Sequence, residues 1–123
     1  MKVKIEGIDL INNIYTEGKE SWNVLTLIQA SKDLEPFDLP LAGIYLGIDV
    51  WRDSKTILEF TQHVKRVQHT DLKYPVILTP EGFICDGWHR VVKALVMGHA
   101  TIKAVRLDKM PLPDSTNKKI NKR

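Results

Sequence analysis

The sequence predicts an α+β fold: a single domain in which a small mixed sheet carries packed helices. Three observations predict it. Short apolar, β-branched runs alternate with two long amphipathic stretches. The strands and helices do not follow a strict βαβ repetition, which argues against a doubly wound parallel sheet. The length of 123 residues fits one domain with one core.

Taken in order, Met1 to Ile11 reads as a strand from the imperfect alternation of Val3, Ile5, Ile8 and Leu10. Glu17 to about Lys32 reads as a helix with Thr16 as N-cap and with Trp22, Leu25 and Ile28 on its core face. Two prolines interrupt Leu34 to Pro40, and Leu41 to Leu46 reads as a strand marked irregular by Gly43 and Gly47. Asp53 or Ser54 is the expected N-cap of a second helix running to about His69. Its apolar stripe is Ile57, Phe60, Thr61, Val64 and Val67, with Lys55, Glu59, Gln62, Lys65 and Arg66 facing out. Val76 to Leu78 and Phe83 to Cys85, joined by Pro80-Glu81-Gly82, form a β-hairpin. A third helix starts at about Trp88, carries Val91, Val92, Leu95 and Val96, and stops at Gly98 in the left-handed C′ position. Thr101 to Leu107 is the last strand.

Composition excludes several classes. No window holds the roughly 18 consecutive apolar residues of a membrane span. The charged, alternating N-terminus does not resemble a signal peptide, and a single cysteine permits no internal disulfide, so a reducing cytoplasm is expected. No Cys/His spacing indicates zinc, since His63 and His69 are too far apart for an i, i+4 pair. The net charge of +3 belongs to the end of the chain: Lys118, Lys119, Lys122 and Arg123 against Asp114 account for all of it. The division expected is a domain over residues 1–111 and a flexible basic tail over 112–123.

The chemistry concentrates at Asp86-Gly87-Trp88-His89-Arg90. A helix N-terminus presents unpaired N–H groups and a positive dipole end, and it favours acidic residues. This helix opens with His89 and Arg90, and Lys93 follows one turn later. Each such cation costs a few tenths to about one kcal/mol unless an anion sits there. Backbone N–H groups, imidazole, guanidinium and ammonium could converge on a phosphate, with Gly87 admitting its close approach. An ordinary solvated helix start with basic residues is the alternative.

That motif, preceded by a Pro-containing hairpin and followed by a helix, Gly98 and a strand, resembles the ParB/sulfiredoxin superfamily. The resemblance covers Leu39 to Asp114, about three fifths of the chain. ParB proteins carry Gly-Glu-Arg-Arg and bind CTP; sulfiredoxins carry Gly-Cys-His-Arg and use ATP. The ParB-like free serine kinases carry Asp-Gly-x-His-Arg, the form nearest to this one, and small ParB-like proteins of bacteria and their phages are similar over the wider stretch. Trp88 stands where sulfiredoxins have their catalytic cysteine, so sulfinic acid reduction is not expected. No helix-turn-helix region follows the motif, so full partition function is not expected either.

The resemblance implies a nucleotide site for ATP, ADP or CTP with Mg²⁺, built from Gly87, Trp88, His89, Arg90, Lys93 and Arg106. Asp86 and His89 are its catalytic candidates, and Asp86 is also its metal ligand, with Asp86 otherwise read as a turn-closing Asx residue. Trp51 and Trp88 are candidates for stacking a base or, equally, for the core. Glu35 or Asp33 is the candidate for the second carboxylate that the serine kinases use, and Asp49 and Asp53 are candidate metal partners or, equally, solvated turn residues. The implied activity is Mg-dependent phosphoryl transfer or nucleotide hydrolysis, a chemistry of positioning and charge neutralisation. The alternative is a non-catalytic or DNase-like module that binds nucleic acid or a host protein.

Overall fold

The computed structural model describes residues 14–51 and 55–116. The expected strand over Met1 to Ile11 and the candidates Asp53 and Ser54 lie outside them. The fold is α+β, with three helices and two small sheets.

β1 (Ile14–Glu17) and β2 (Glu20–Asn23) form an antiparallel hairpin where the sequence predicted helix. Gly18 at φ 63° makes the turn. Helix propensity yields there to a glycine free to enter the left-handed region. α1 is therefore the shorter Val24–Ser31, and it buries Val24, Leu27 and Ser31. Leu25 and Ile28, expected inside, are exposed, because the face that packs on the sheet is that of Val24, Leu27 and Ser31. Trp22 is 2 % exposed, as its spacing predicted, but it stands on a strand.

β3 (Phe37–Pro40) pairs antiparallel with β6 (Thr101–Arg106). It is an edge strand, which is where a terminal proline is tolerated. The strand expected over Leu41 to Leu46 is instead a 3₁₀ turn, Leu41–Gly43, followed by residues without ladder partners. β4 (Val76–Leu78) pairs parallel with β6 and antiparallel with β5 (Ile84–Asp86), giving the order β3-β6-β4-β5.

This sheet is covered on both faces. Val76, Leu78, Ile84, Ile102 and Ala104 meet Val91 and Ala94 of α3 (Trp88–Val96) on one side. Ile77, Cys85, Val105 and Leu107 meet Trp22 and Leu27 on the other. Burial on both faces explains why β4 reads as an unbroken apolar run, and each such aliphatic side chain contributes about 1.5–3 kcal/mol. α3 ends as predicted, with Gly98 at φ 78°.

α2 (Ile57–His69) rests on α3. Thr56 caps it in a reciprocal box: its hydroxyl accepts from Glu59 N, and Glu59 Oε1 accepts from the Thr56 and Lys55 N–H groups. The facing of α2 reverses the expectation. Ile57 is 83 %, Phe60 63 % and Val64 39 % exposed. Glu59, Gln62, His63 and Arg66 are the half-buried residues, together with Lys65 and Val67. Much of the helix's polar side faces the protein.

Residues 112–116, expected as tail, run back along the hairpin. β7 (Ser115–Thr116) pairs with β2, Asp114 Oδ2 accepts from Asn23 N at 2.8 Å, and Trp22 Nε1 donates to Pro111 O at 2.8 Å. No helix among the described residues is long and apolar enough to cross a membrane.

Candidate functional site

A cavity of about 790 Å³ opens beside β5, the outermost of the described strands of its sheet. One wall is the β5–α3 junction, another is the inward side of α2, and Ile48, Asp49, Val50 and Trp51 line it as well. Gly87 makes the junction possible. It takes φ 118°, and a Cβ built there would lie 2.5 Å from Val76 Cγ1 and 3.1 Å from the Arg90 guanidinium. Its carbonyl accepts from Val91 N, which starts α3. Gly87, at the N-cap, has no side chain to cap that helix, and no acidic residue stands in its first turn. Asp86, Gly87, Trp88 and His89, all expected at the site, line the cavity.

The other three expected residues are engaged elsewhere. Arg90 Nη2 donates to Asp86 Oδ2 at 2.9 Å and to Pro75 O at 3.4 Å, so its guanidinium ties the junction to the start of β4. Its Nε is buried without a partner. Lys93 Nζ donates to Thr70 O at 2.6 Å and Gln68 O at 3.2 Å, closing the C-terminus of α2, where a cation also favours the dipole. Arg106 Nε and Nη2 both donate to Pro80 O, which clamps the hairpin turn to β6.

Two cavity residues escaped the sequence reading: His63 and Arg66 of α2. His63 Nδ1 lies 2.8 Å from His89 Nε2, so one ring donates and the other accepts. Trp51 stacks on both rings, with centroids 4.4 Å from His63 and 4.6 Å from His89. Burial, followed by the charges of Arg66, His63 and Arg90, pushes His89 down to about 3. Burial and Arg66 likewise lower His63, with Glu59 opposing them. Both imidazoles are therefore neutral near pH 7, and one of them donates its N–H to the other. The signal available in the sequence was the polar stripe Glu59, Gln62, His63, Arg66 at helical spacing. The sequence expectation puts Glu59, Gln62 and Arg66 of that stripe in solvent and leaves His63 open between core and surface.

Cys85 also lines the cavity, but burial, then Asp86, pushes its thiol up to about 12, so it is inert as a nucleophile. Among the described residues no three His, Cys, Asp or Glu side chains are grouped to hold a metal ion. The described residues by themselves do not form a metal centre. Magnesium carried on a nucleotide's phosphates needs only one or two carboxylates; Asp86 and Asp49 are those at the cavity.

Compared with protein-family models, curated proteins and solved structures, the chain gives no match.

Proposed function

We propose that this chain is a nucleotide-binding domain of ParB/sulfiredoxin type, which takes ATP, ADP or CTP in the cavity beside β5. The observation that carries the reading is the facing of α2. The helix leaves Ile57 and Phe60 in solvent while His63 and Arg66 line the cavity opposite the uncapped start of α3. A cavity needing only to be filled would take the apolar stripe. One that receives a polar, charged ligand takes the polar side.

The parts suit a nucleoside phosphate. A volume of about 790 Å³ lies within the range of small-molecule sites. Trp51, stacked with two neutral imidazoles, offers a flat aromatic surface for a base. The free N–H groups of α3's first turn suit a phosphate. Turnover is a separate claim. Asp86 would be the acceptor of a hydroxyl proton or a ligand of nucleotide-borne Mg²⁺, and its 2.9 Å bond to Arg90 would have to loosen for either role. That bond favours binding without turnover as the second reading.

A thermal-shift panel of ATP, ADP and CTP, with and without Mg²⁺, tests the proposal. At a hundredfold excess over Kd a ligand should stabilise the fold by about 2.7 kcal/mol. If no nucleotide raises the melting temperature at millimolar concentration, the reading fails. Asp86→Asn then separates its two halves: binding should persist in either case, and turnover should fall only if Asp86 is catalytic.

A further inference from the structure

Of the three described arginines, two are spent on the fold. Arg90 is bonded to Asp86 and Pro75, and Arg106 to Pro80. Arg66 is different. It lines the cavity, half-buried, and among the described residues its guanidinium has no hydrogen-bond or ion-pair partner; its backbone carbonyl is engaged by Thr70 N. Burial lowers its proton affinity and Arg90 adds to that, while Asp86 opposes them. Asp86 cannot serve both guanidiniums equally, because its Oδ2 lies 2.9 Å from Arg90 Nη2. Two cations, Arg66 and Arg90, thus draw on one carboxylate, Asp86. Asp49 also lines the cavity, but it does not figure among the charges acting on Arg66. A half-buried cation whose nearest carboxylate is bonded to another guanidinium carries a cost that a bound anion reduces.

We propose that Arg66 is the ligand's anion anchor and takes a phosphate oxyanion in the cavity between α2 and the β5–α3 junction. The guanidinium fork matches two phosphate oxygens at once. Arg90 is then a positioning residue: by holding Asp86 it keeps that carboxylate from neutralising Arg66. The ligand's phosphate is the part Arg66 reads, and the identity of the rest depends on the nucleotide reading above.

The test titrates inorganic pyrophosphate, ADP and adenosine into the full chain and into Arg66→Gln and Arg66→Lys, by calorimetry, with the melting temperature of each variant recorded. Arg66→Gln should weaken pyrophosphate and ADP roughly ten- to a hundredfold and leave adenosine unchanged. Its melting temperature should hold or rise, since no partner is lost. Arg66→Lys, which keeps the charge but not the fork, should fall between and carries the test if the glutamine variant does not fold. Equal ADP binding by wild type and Arg66→Gln would overturn the anchor and leave the nucleotide reading standing. Pyrophosphate binding lost in Arg66→Gln, with ADP no tighter than pyrophosphate, would support the anchor and overturn the nucleotide. Failure of wild type to bind any of the three would overturn both.

Discussion

At the scale of single residues, Gly87 decides the geometry on which the site depends. Its φ of 118° is strained for any L side chain, and the 2.5 Å approach to Val76 Cγ1 leaves no room for a methyl group. Val76 is fully buried and cannot swing away. Gly87→Ala should therefore lower stability by roughly 2–5 kcal/mol, the strain and overpacking costs acting together. Urea denaturation measures this, and an unchanged midpoint would mean that the junction relaxes freely. The motif around Gly87 was legible in sequence because glycine and the helix start are local signals. The partners of its cations were not. Arg90 finds Asp86 one turn earlier, but Lys93 finds carbonyls at the end of α2 and Arg106 the turn at Pro80. Those partners are brought together only by the sheet order, which no local pattern encodes.

At the scale of elements, α2 was legible as a helix and its C-terminal end was placed correctly, yet its facing was not. A hydrophobic stripe normally turns inward because burial is the dominant favourable term. Here the ring stack of Trp51, His63 and His89, together with Lys93 on the helix's last carbonyls, fixes the opposite rotation. Ile57→Lys should then leave stability within about 0.5 kcal/mol of wild type, as for an ordinary surface position. A chemical denaturation curve reads it directly. A loss of 2 kcal/mol or more, the range for truncating a buried aliphatic side chain, would place Ile57 in a core. The reversed facing also accounts for the two missed site residues. A polar stripe on a helix is ordinarily solvated, and only the packing partner shows otherwise.

At the scale of the whole molecule, the α+β class and the order from α2 to β6 followed from the apolar runs and the glycine and proline turns between them. The β1–β2 hairpin and the return of residues 112–116 along it did not, because β2–β7 pairing joins segments about ninety residues apart. The same long-range assembly sets how stability responds to acid. In the unfolded chain His89 and His63 titrate near 6.5; in the fold His89 is held down to about 3 and His63 is also lowered. Among the described residues the cause is first burial between the helices and then the charge of Arg66 on α2, with His63 and Arg90 adding at His89 and Glu59 opposing at His63. As pH falls through 6.5 the unfolded state takes up protons that the native state refuses, so stability drops with pH across that window and is fully present above it. Glu59, lowered by its bonds at the start of α2, adds a loss of the same sign only as pH falls below its ordinary 4.5. Between pH 6.5 and 4.5 the histidines should therefore dominate. The melting temperature should decline steadily over that interval, and the His63→Gln, His89→Gln double variant should flatten the decline. NMR titration of the His89 ring supplies the decisive reading: a midpoint near 6.5 in the folded protein would show that the imidazole is not enclosed between α2 and α3.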